Sequence, residues 1–303
     1  LRDQLDGRHH GVLRRLHHGD GEVSTAHPTP RAWLAGLLLA AGCAAACAAP
    51  QAPWPDGARG AVALTYDDAL ASQLDHVVPV LARAQLKATF FLANVKPADV
   101  PRWRAVAQAG HELGNHTLFH PCSAAIVPQE ARYTLEAYTP QGLLREIEQQ
   151  DALLVALDGR PRHGFAWPCG ETKANGVDAS DALRRSGLVS YARGVWESDE
   201  DLAANPAGFD AMRIPARGFD QTATAQGLIA FASKALQGGG LAIFLFHGIG
   251  EGPLDVPAQA HDALIAWLAA HRSEVWTAPL QDALDQAHAP LAIPPTAKDV
   301  STR

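Results

Sequence analysis

Short apolar runs alternate with longer amphipathic ones along most of the chain. Runs of β type cover 61–66, 88–93, 164–167, 189–192, 241–246 and 275–277. Helical periodicity fills 70–86, 101–109, 141–157, 180–186, 222–236, 257–271 and 280–288, and the 141–157 stretch is strongly amphipathic. Alternating β and α units with largely apolar strands predict one α/β domain, a parallel sheet with helices outside. The pattern leaves open whether the sheet is flat or closed into a barrel. In either form, functional groups belong at the carboxyl ends of the strands, where loops begin.

The first part of the chain does not follow this pattern. Residues 1–30 are polar, carry the pairs His9-His10 and His17-His18, and show no lasting periodicity. They read as an unstructured extension or the product of a misplaced start, since the chain begins with Leu and holds one Met, Met212. Residues 31–49, "RAWLAGLLLAAGCAAACAA", join a positive charge, an apolar stretch and small residues, the three parts of a secretory signal. Ala46-Cys47-Ala48 offers a cleavage site; "LAAGC" resembles a lipoprotein processing site that would leave a lipid anchor on Cys43. Both routes stay open, and the apolar part is too short to predict a transmembrane span. The expected product is exported: periplasmic, attached to the cell envelope or secreted. Residues 50–303 form the expected catalytic domain.

Composition narrows the class. Of 303 residues, 47% are hydrophobic and 19% charged, enough for a sizeable core. A formal net charge of -7 without a Lys/Arg cluster argues against a nucleic-acid partner.

The candidate chemistry lies at the ends of the β-type runs. Asp67 and Asp68 follow the first, and two ionised neighbours repel unless a cation or a shared proton relieves them. His116 and His120, in "GNHTLFHP", are spaced so that a helical turn or tight loop sets both imidazoles on one face. Two histidines and a carboxylate form a common ligand set for a catalytic divalent metal with one position open to water. His247 directly follows "LAIFLF", and Trp167-Pro168-Cys169 ends a third run.

"TYDD", "GNHTLFHP", "FAWPCG" and "FLFHG", in this order between about 61 and 288, resemble the motifs of the NodB-like polysaccharide deacetylases, carbohydrate esterase family four. The resemblance implies a distorted (β/α) barrel with fewer than eight regular strands and hydrolysis of N-acetyl or O-acetyl groups on a glycan. It implies Asp67 as general base, Asp68, His116 and His120 as metal ligands, and His247 as general acid. Zn²⁺ suits the ligands best, and Co²⁺ or Ni²⁺ would fit them too. The backbone N–H of Cys169 is the expected oxyanion donor, Leu245 or Phe246 the wall for the acetyl methyl, and Trp167 and Trp196 candidate sugar-stacking residues. Export permits a disulfide, and Cys122 and Cys169 flank motifs that should converge, so a bridge between them is expected rather than two inert thiols.

The third motif departs from the family in carrying Ala166 where an Arg often orients the aspartate. Arg213 is the candidate replacement, reaching back to Asp67. No single aspartate stands out as the partner of His247 among Asp199, Asp201 and Asp210. His111 and Asn115 are expected to shape the metal loop, and His163, His261, His271 and His288 to lie at the surface. The competing reading is a non-catalytic glycan-binding protein on the same scaffold, favoured by Ala166 and Cys169.

Overall fold

In the computed structural model, residues 54–195, 206–250 and 252–288 are described. The leader, Cys43, Cys47, Trp196, Asp199 and Asp201 lie outside them.

Eight parallel strands make the main sheet: β1 (Gly60–Asp67), β2 (Thr89–Leu92), β3 (Glu112–Asn115), β4 (His163–Ala166), then β7 (Val189–Arg193), β8 (Arg217–Gly218), β9 (Leu241–Phe246) and β10 (Val275–Thr277). A hairpin of β5 (Lys173–Ala174) and β6 (Val177–Asp178) stands apart. The path runs β7-β4-β3-β2-β1-β9-β8, with β10 also paired to β1. One segment then joins the two edges. Ile214 N–H donates to Ala192 O and Gly194 N–H to Ile214 O, both at 2.9 Å, while β8 pairs with β9 a few residues further on. The sheet thus curls into a ring that is irregular at β8, only two residues long, and at β10, which pairs off the main path. This is a distorted (β/α) barrel, as the motif resemblance implied, with eight strands where fewer regular ones were expected. Among the described residues, no helix is long and apolar enough to cross a membrane.

Every residue of β1 is buried, because both faces of the strand are covered. Its alternate residues divide the core. Val62, Leu64 and Tyr66 pack outward with Phe90, Phe244 and Phe246 under the helices α1 (Val78–Ala84), α2 (Val100–Gln108), α5 (Ala225–Gly238) and α6 (Ala258–Ala270). Ala61 and Ala63 face inward with Phe91, Ala166, Tyr191, Ile243 and Leu245. The interior is narrow, so Gly114 and Gly164 are needed where rings cross it. A Cβ on Gly164 would lie 2.1 Å from the Tyr191 ring, and one on Gly114 2.4 Å from the Phe91 ring.

Some elements differ from the sequence pattern. The strand "ELGN", β3, was not expected, since Gly and Asn are poor strand formers. Register decides it: all four residues pair with β2, and Asn115 Nδ2 donates to Ile147 O at 2.7 Å. The helix expected over 70–86 opens with a π-turn, Gln73–Val77, before α1. The long amphipathic helix, α3 (Pro140–Asp158), starts where Thr139 accepts from Gly142 N–H and ends at Gly159, φ +76°.

Two histidines expected at the surface are buried. His163 sits between Asp151 (Nδ1–Oδ1 2.6 Å) and Asp158 (Nε2–Oδ1 3.1 Å). His261 faces the core from α6 and bonds the Tyr66 hydroxyl at 2.8 Å. Burial, the larger influence, drags its pKa to about 4 despite Asp262.

Candidate active site

The chemistry-bearing residues gather at the carboxyl end of the ring. Asp67 is the last residue of β1 and alternates with Thr65 and Ala63, so its carboxylate faces inward. Asp68 follows at φ +79°, a left-handed turn that Asp tolerates and that aims its side chain across the mouth. Past β3, a tight loop, not a helix, brings His116 and His120 together. Thr117 (φ +64°) and His120 (φ +53°) make the turn, Thr117 Oγ1 accepts from His120 N–H at 3.0 Å, and the two rings stand 4.6 Å apart.

The donor set of Asp68, His116 and His120 fits a divalent cation. Their ligand atoms all lie within 4.8 Å of one another. His116 Nδ1 lies 2.8 Å from Ala166 O. A carbonyl only accepts, so Nδ1 carries the proton and Nε2 presents a lone pair. That lone pair faces Asp68 Oδ1 at 3.6 Å and Asp67 Oδ2 at 3.7 Å, and His120 Nε2 faces Asp68 Oδ1 at 3.4 Å. Burial lowers the pKa of both imidazoles, that of His116 to about 3, which keeps them neutral. Burial and then the neighbouring Asp67 push Asp68 up to about 6. Acceptors converging without a proton among them need either that proton or a cation.

Asp67 is held differently. Burial favours its neutral form, but the Arg193 guanidinium, then His116 and His247, outweigh it and leave the carboxyl below the usual range. Arg193 Nη2 reaches Asp67 Oδ1 at 2.6 Å and Oδ2 at 2.5 Å, with both residues buried. This corrects the expectation for Arg213, which is half-exposed and paired with Asp178. Arg193 ends β7, so the carboxyl-edge rule that picked out Asp67 and His247 also points to it.

His247 follows β9, beside the end of β1. The Gln73 amide joins the two strand ends: its Nε2 donates to Asp67 O at 2.5 Å and to His247 O at 3.0 Å. Ser72 Oγ accepts from Ile249 N–H at 3.1 Å in the same contact. Both acceptors of Gln73 are carbonyls, which fixes the amide orientation. No sequence pattern marked Gln73. His247 Nδ1 is buried without a partner among the described residues, and Asp210, one of its three candidate partners, pairs with Arg184 at 2.6 Å.

Other expected site residues take separate places. Leu245 points into the ring on the side of Asp67, its register partner being Thr65. Phe246 points the other way, into the helix layer beside Tyr66, and cannot line the acetyl pocket. Trp167 is buried, and its indole N–H donates to Met212 O at 3.0 Å, so it packs the core instead of a sugar. Cys122 and Cys169 form a disulfide, with Cα atoms 5.8 Å apart, beside His120. Cys169 has φ +54° in the turn after β4. His111 Nδ1 accepts from Ala88 N–H at 3.2 Å, which shapes the approach to β3.

The curled parallel ring thus gathers these residues at its carboxyl end. Residues 55–187 match the model of the polysaccharide deacetylase family. The match ends before Arg193 and His247. A gellan lyase from a Bacillus species is 25% identical over 242 residues, 75% of this chain, while the chain spans 9% of that protein's length. The Xyl-CE4 domain of a multidomain xylanase from the hindgut metagenome of Trinervitermes trinervoides is 17% identical, with a TM-score of 0.49 over 77% of this chain and 94% of that domain. The catalytic domain of a peptidoglycan N-acetylglucosamine deacetylase from Eubacterium rectale ATCC 33656 is 16% identical, with the same TM-score and the same coverage of each chain, 77% and 94%.

Proposed function

We propose that this protein is an exported hydrolase that removes acetyl groups, N-linked or O-linked, from a carbohydrate chain. The observation that carries the reading is the division of labour between neighbouring carboxylates: Asp68 joins two neutral imidazoles, while Asp67 stays ionised against Arg193. Asp68, His116 and His120 would hold one divalent cation, Zn²⁺ by preference and Co²⁺ or Ni²⁺ as alternatives. Such a cation polarises an acyl oxygen and lowers the pKa of a water towards neutrality.

Asp67 takes the proton of the attacking water, whose oxygen bonds to the acetyl carbon. A low pKa makes Asp67 a weak base, which would suffice where a bound cation had lowered the pKa of that water. The backbone N–H of Cys169 donates to the oxyanion that forms. His247, protonated, gives its proton to the departing nitrogen or oxygen of the sugar as that bond to the acetyl carbon breaks. Acetate and a free amine or hydroxyl result, and the proton on Asp67 restores His247 through solvent. Leu245 supplies an apolar contact for the methyl.

Arg193 also supplies the guanidinium whose absence from the third motif had favoured a non-catalytic glycan-binding protein. Export by a cleaved leader or by acylation at Cys43 belongs to the same proposal. The test is acetate release from N- and O-acetylated oligosaccharides with Zn²⁺, with chelator, and with Asp67→Ala. Release that chelator and Asp67→Ala both abolish is the expected result. Binding of glycan by the metal-loaded protein without any release would overturn it.

A further inference from the structure

On the helix side of the sheet, away from the mouth of the ring, a second set of donors converges. His76 lies in the π-turn Gln73–Val77, and His261 and Asp262 are neighbours on α6. One ligand atom from each falls within 4.8 Å of the other two. His76 Nε2 stands 2.8 Å from Asp262 Oδ1, and His261 Nδ1 stands 3.2 Å from the same oxygen. Tetrahedral zinc, with bonds of about 2.0–2.1 Å, sets its ligand atoms roughly 3.3 Å apart. The Asp68 set at the mouth has comparable spacings, 3.6 and 3.4 Å. The two sets share no residue. Tyr66, beside His261, points outward into the helix layer, whereas Asp67, next in β1, points inward, so the sheet lies between them.

The surroundings of His261 suit a metal ligand. Its side chain is fully buried, and the Tyr66 hydroxyl lies 2.8 Å from Nε2. That hydroxyl can accept the Nε2 proton, which fixes the ring and leaves the Nδ1 lone pair aimed at the carboxylate. Edge contacts with Tyr66 and Phe246, centroids 5.9 and 5.8 Å away, hold the ring further. The other two donors face water: the side chains of His76 and Asp262 are 34% and 43% exposed. An ion therefore has a path in, and water can complete its shell. Two imidazoles and one carboxylate suit Zn²⁺, Ni²⁺ or Cu²⁺, not Mg²⁺ or Ca²⁺, which take oxygen ligands. The local backbone is unusual too. π-turns are rare and frequently mark functional sites. This one carries Gln73 at its start, on the ends of β1 and β9, and His76 near its end, against α6.

We propose that His76, His261 and Asp262 form a second divalent-metal site, of Zn²⁺ type, that ties the π-turn to α6 and takes no part in the acetyl chemistry. It is the more exposed of the two sets and should fill second. The test counts ions in the whole chain. Metal-free protein is dialysed against micromolar Zn²⁺, and bound zinc is measured by emission spectroscopy in wild type, His76→Ala, Asp262→Ala, His116→Ala and the double variants. His76 and Asp262 are part-exposed, so shortening either spares the core, and circular dichroism of metal-free samples checks this. His76→Ala and Asp262→Ala should each hold one ion fewer per chain than their parent, with His116 present or replaced. Read as a difference, the count is undisturbed by other histidines, such as the pairs at 9–10 and 17–18. Excess Mg²⁺ should not displace the ion. In His116→Ala protein, Zn²⁺ should slow hydrogen exchange over residues 73–84, and adding His76→Ala should abolish the slowing. Zinc counts that the His76 and Asp262 changes leave untouched, in folded protein, would overturn the site and leave a hydrogen-bonded trio only. A count that falls with His76→Ala but not with His116→Ala would support the outer site and overturn the ligand set at the mouth instead.

Discussion

At the scale of single residues, the buried pairing of Arg193 with Asp67 bears on stability and on the proposed chemistry. Arg193→Met strands a buried carboxylate, so it should cost about 3–5 kcal/mol in urea unfolding. Without the guanidinium, Asp67 should titrate at higher pH, moving the acidic limb of the rate profile upward. The stability that Asp67 contributes is present above its unfolded pKa and is lost as pH falls through its lowered folded value. His163 runs the other way. Burial alone would lower its pKa, but Asp151 and Asp158 on its two nitrogens outweigh that and raise it. Its contribution is therefore full below about 6.5 and fades as pH climbs through the raised value. His163→Gln should cost about 1–3 kcal/mol at pH 6 and flatten the dependence of Tm on pH between 6 and 9. The sequence made Asp67, Asp68, His116, His120 and His247 legible because each sits in a local motif. Arg193 reaches Asp67 across 126 positions of sequence. Its place at the end of β7 marks it by the carboxyl-edge rule, and the ring geometry shows the pairing that Arg213, held by Asp178, does not make.

At the scale of elements, the π-turn at Gln73–Val77 places an amide across the ends of β1 and β9. Gln73→Met keeps the bulk and removes both donors, at a cost of about 1–3 kcal/mol for each carbonyl left bare. Turnover should fall while cation affinity, read by competition with a chromophoric chelator, stays within about twofold, because the ligands come from other turns. An equal loss of affinity would mean that Gln73 holds the whole mouth. The narrow interior gives a second test. Gly164→Ala drives a methyl into Tyr191 and should destabilise by about 1–3 kcal/mol in urea melts. Most elements followed from periodicity, since α3, α6 and β9 carry long, regular apolar patterns. β3 did not, because a four-residue strand containing Gly114 and Asn115 is specified by its neighbours' register and not by its own propensity.

At the scale of the molecule, the ring links events far apart in the chain. The proposed cation ligands at the mouth come from the turns after β1 and β3, so ion binding there should stabilise the whole domain. At a hundredfold excess over the dissociation constant, Zn²⁺ should add about 2.7 kcal/mol, visible as a higher Tm that His116→Ala removes. Uptake should weaken as pH falls below about 6, where Asp68 regains its proton. β1 also pairs with β9 and β10, at separations of about 180 residues and more, and among the described residues the ring closes through 211–218. This geometry sets an order of assembly during synthesis. A growing chain that has passed the loop after β3 already holds Asp68, His116 and His120, yet Arg193 and His247 have still to emerge. Cation capture can thus precede catalytic competence, and an unfinished chain could carry its ion long before it could cut anything.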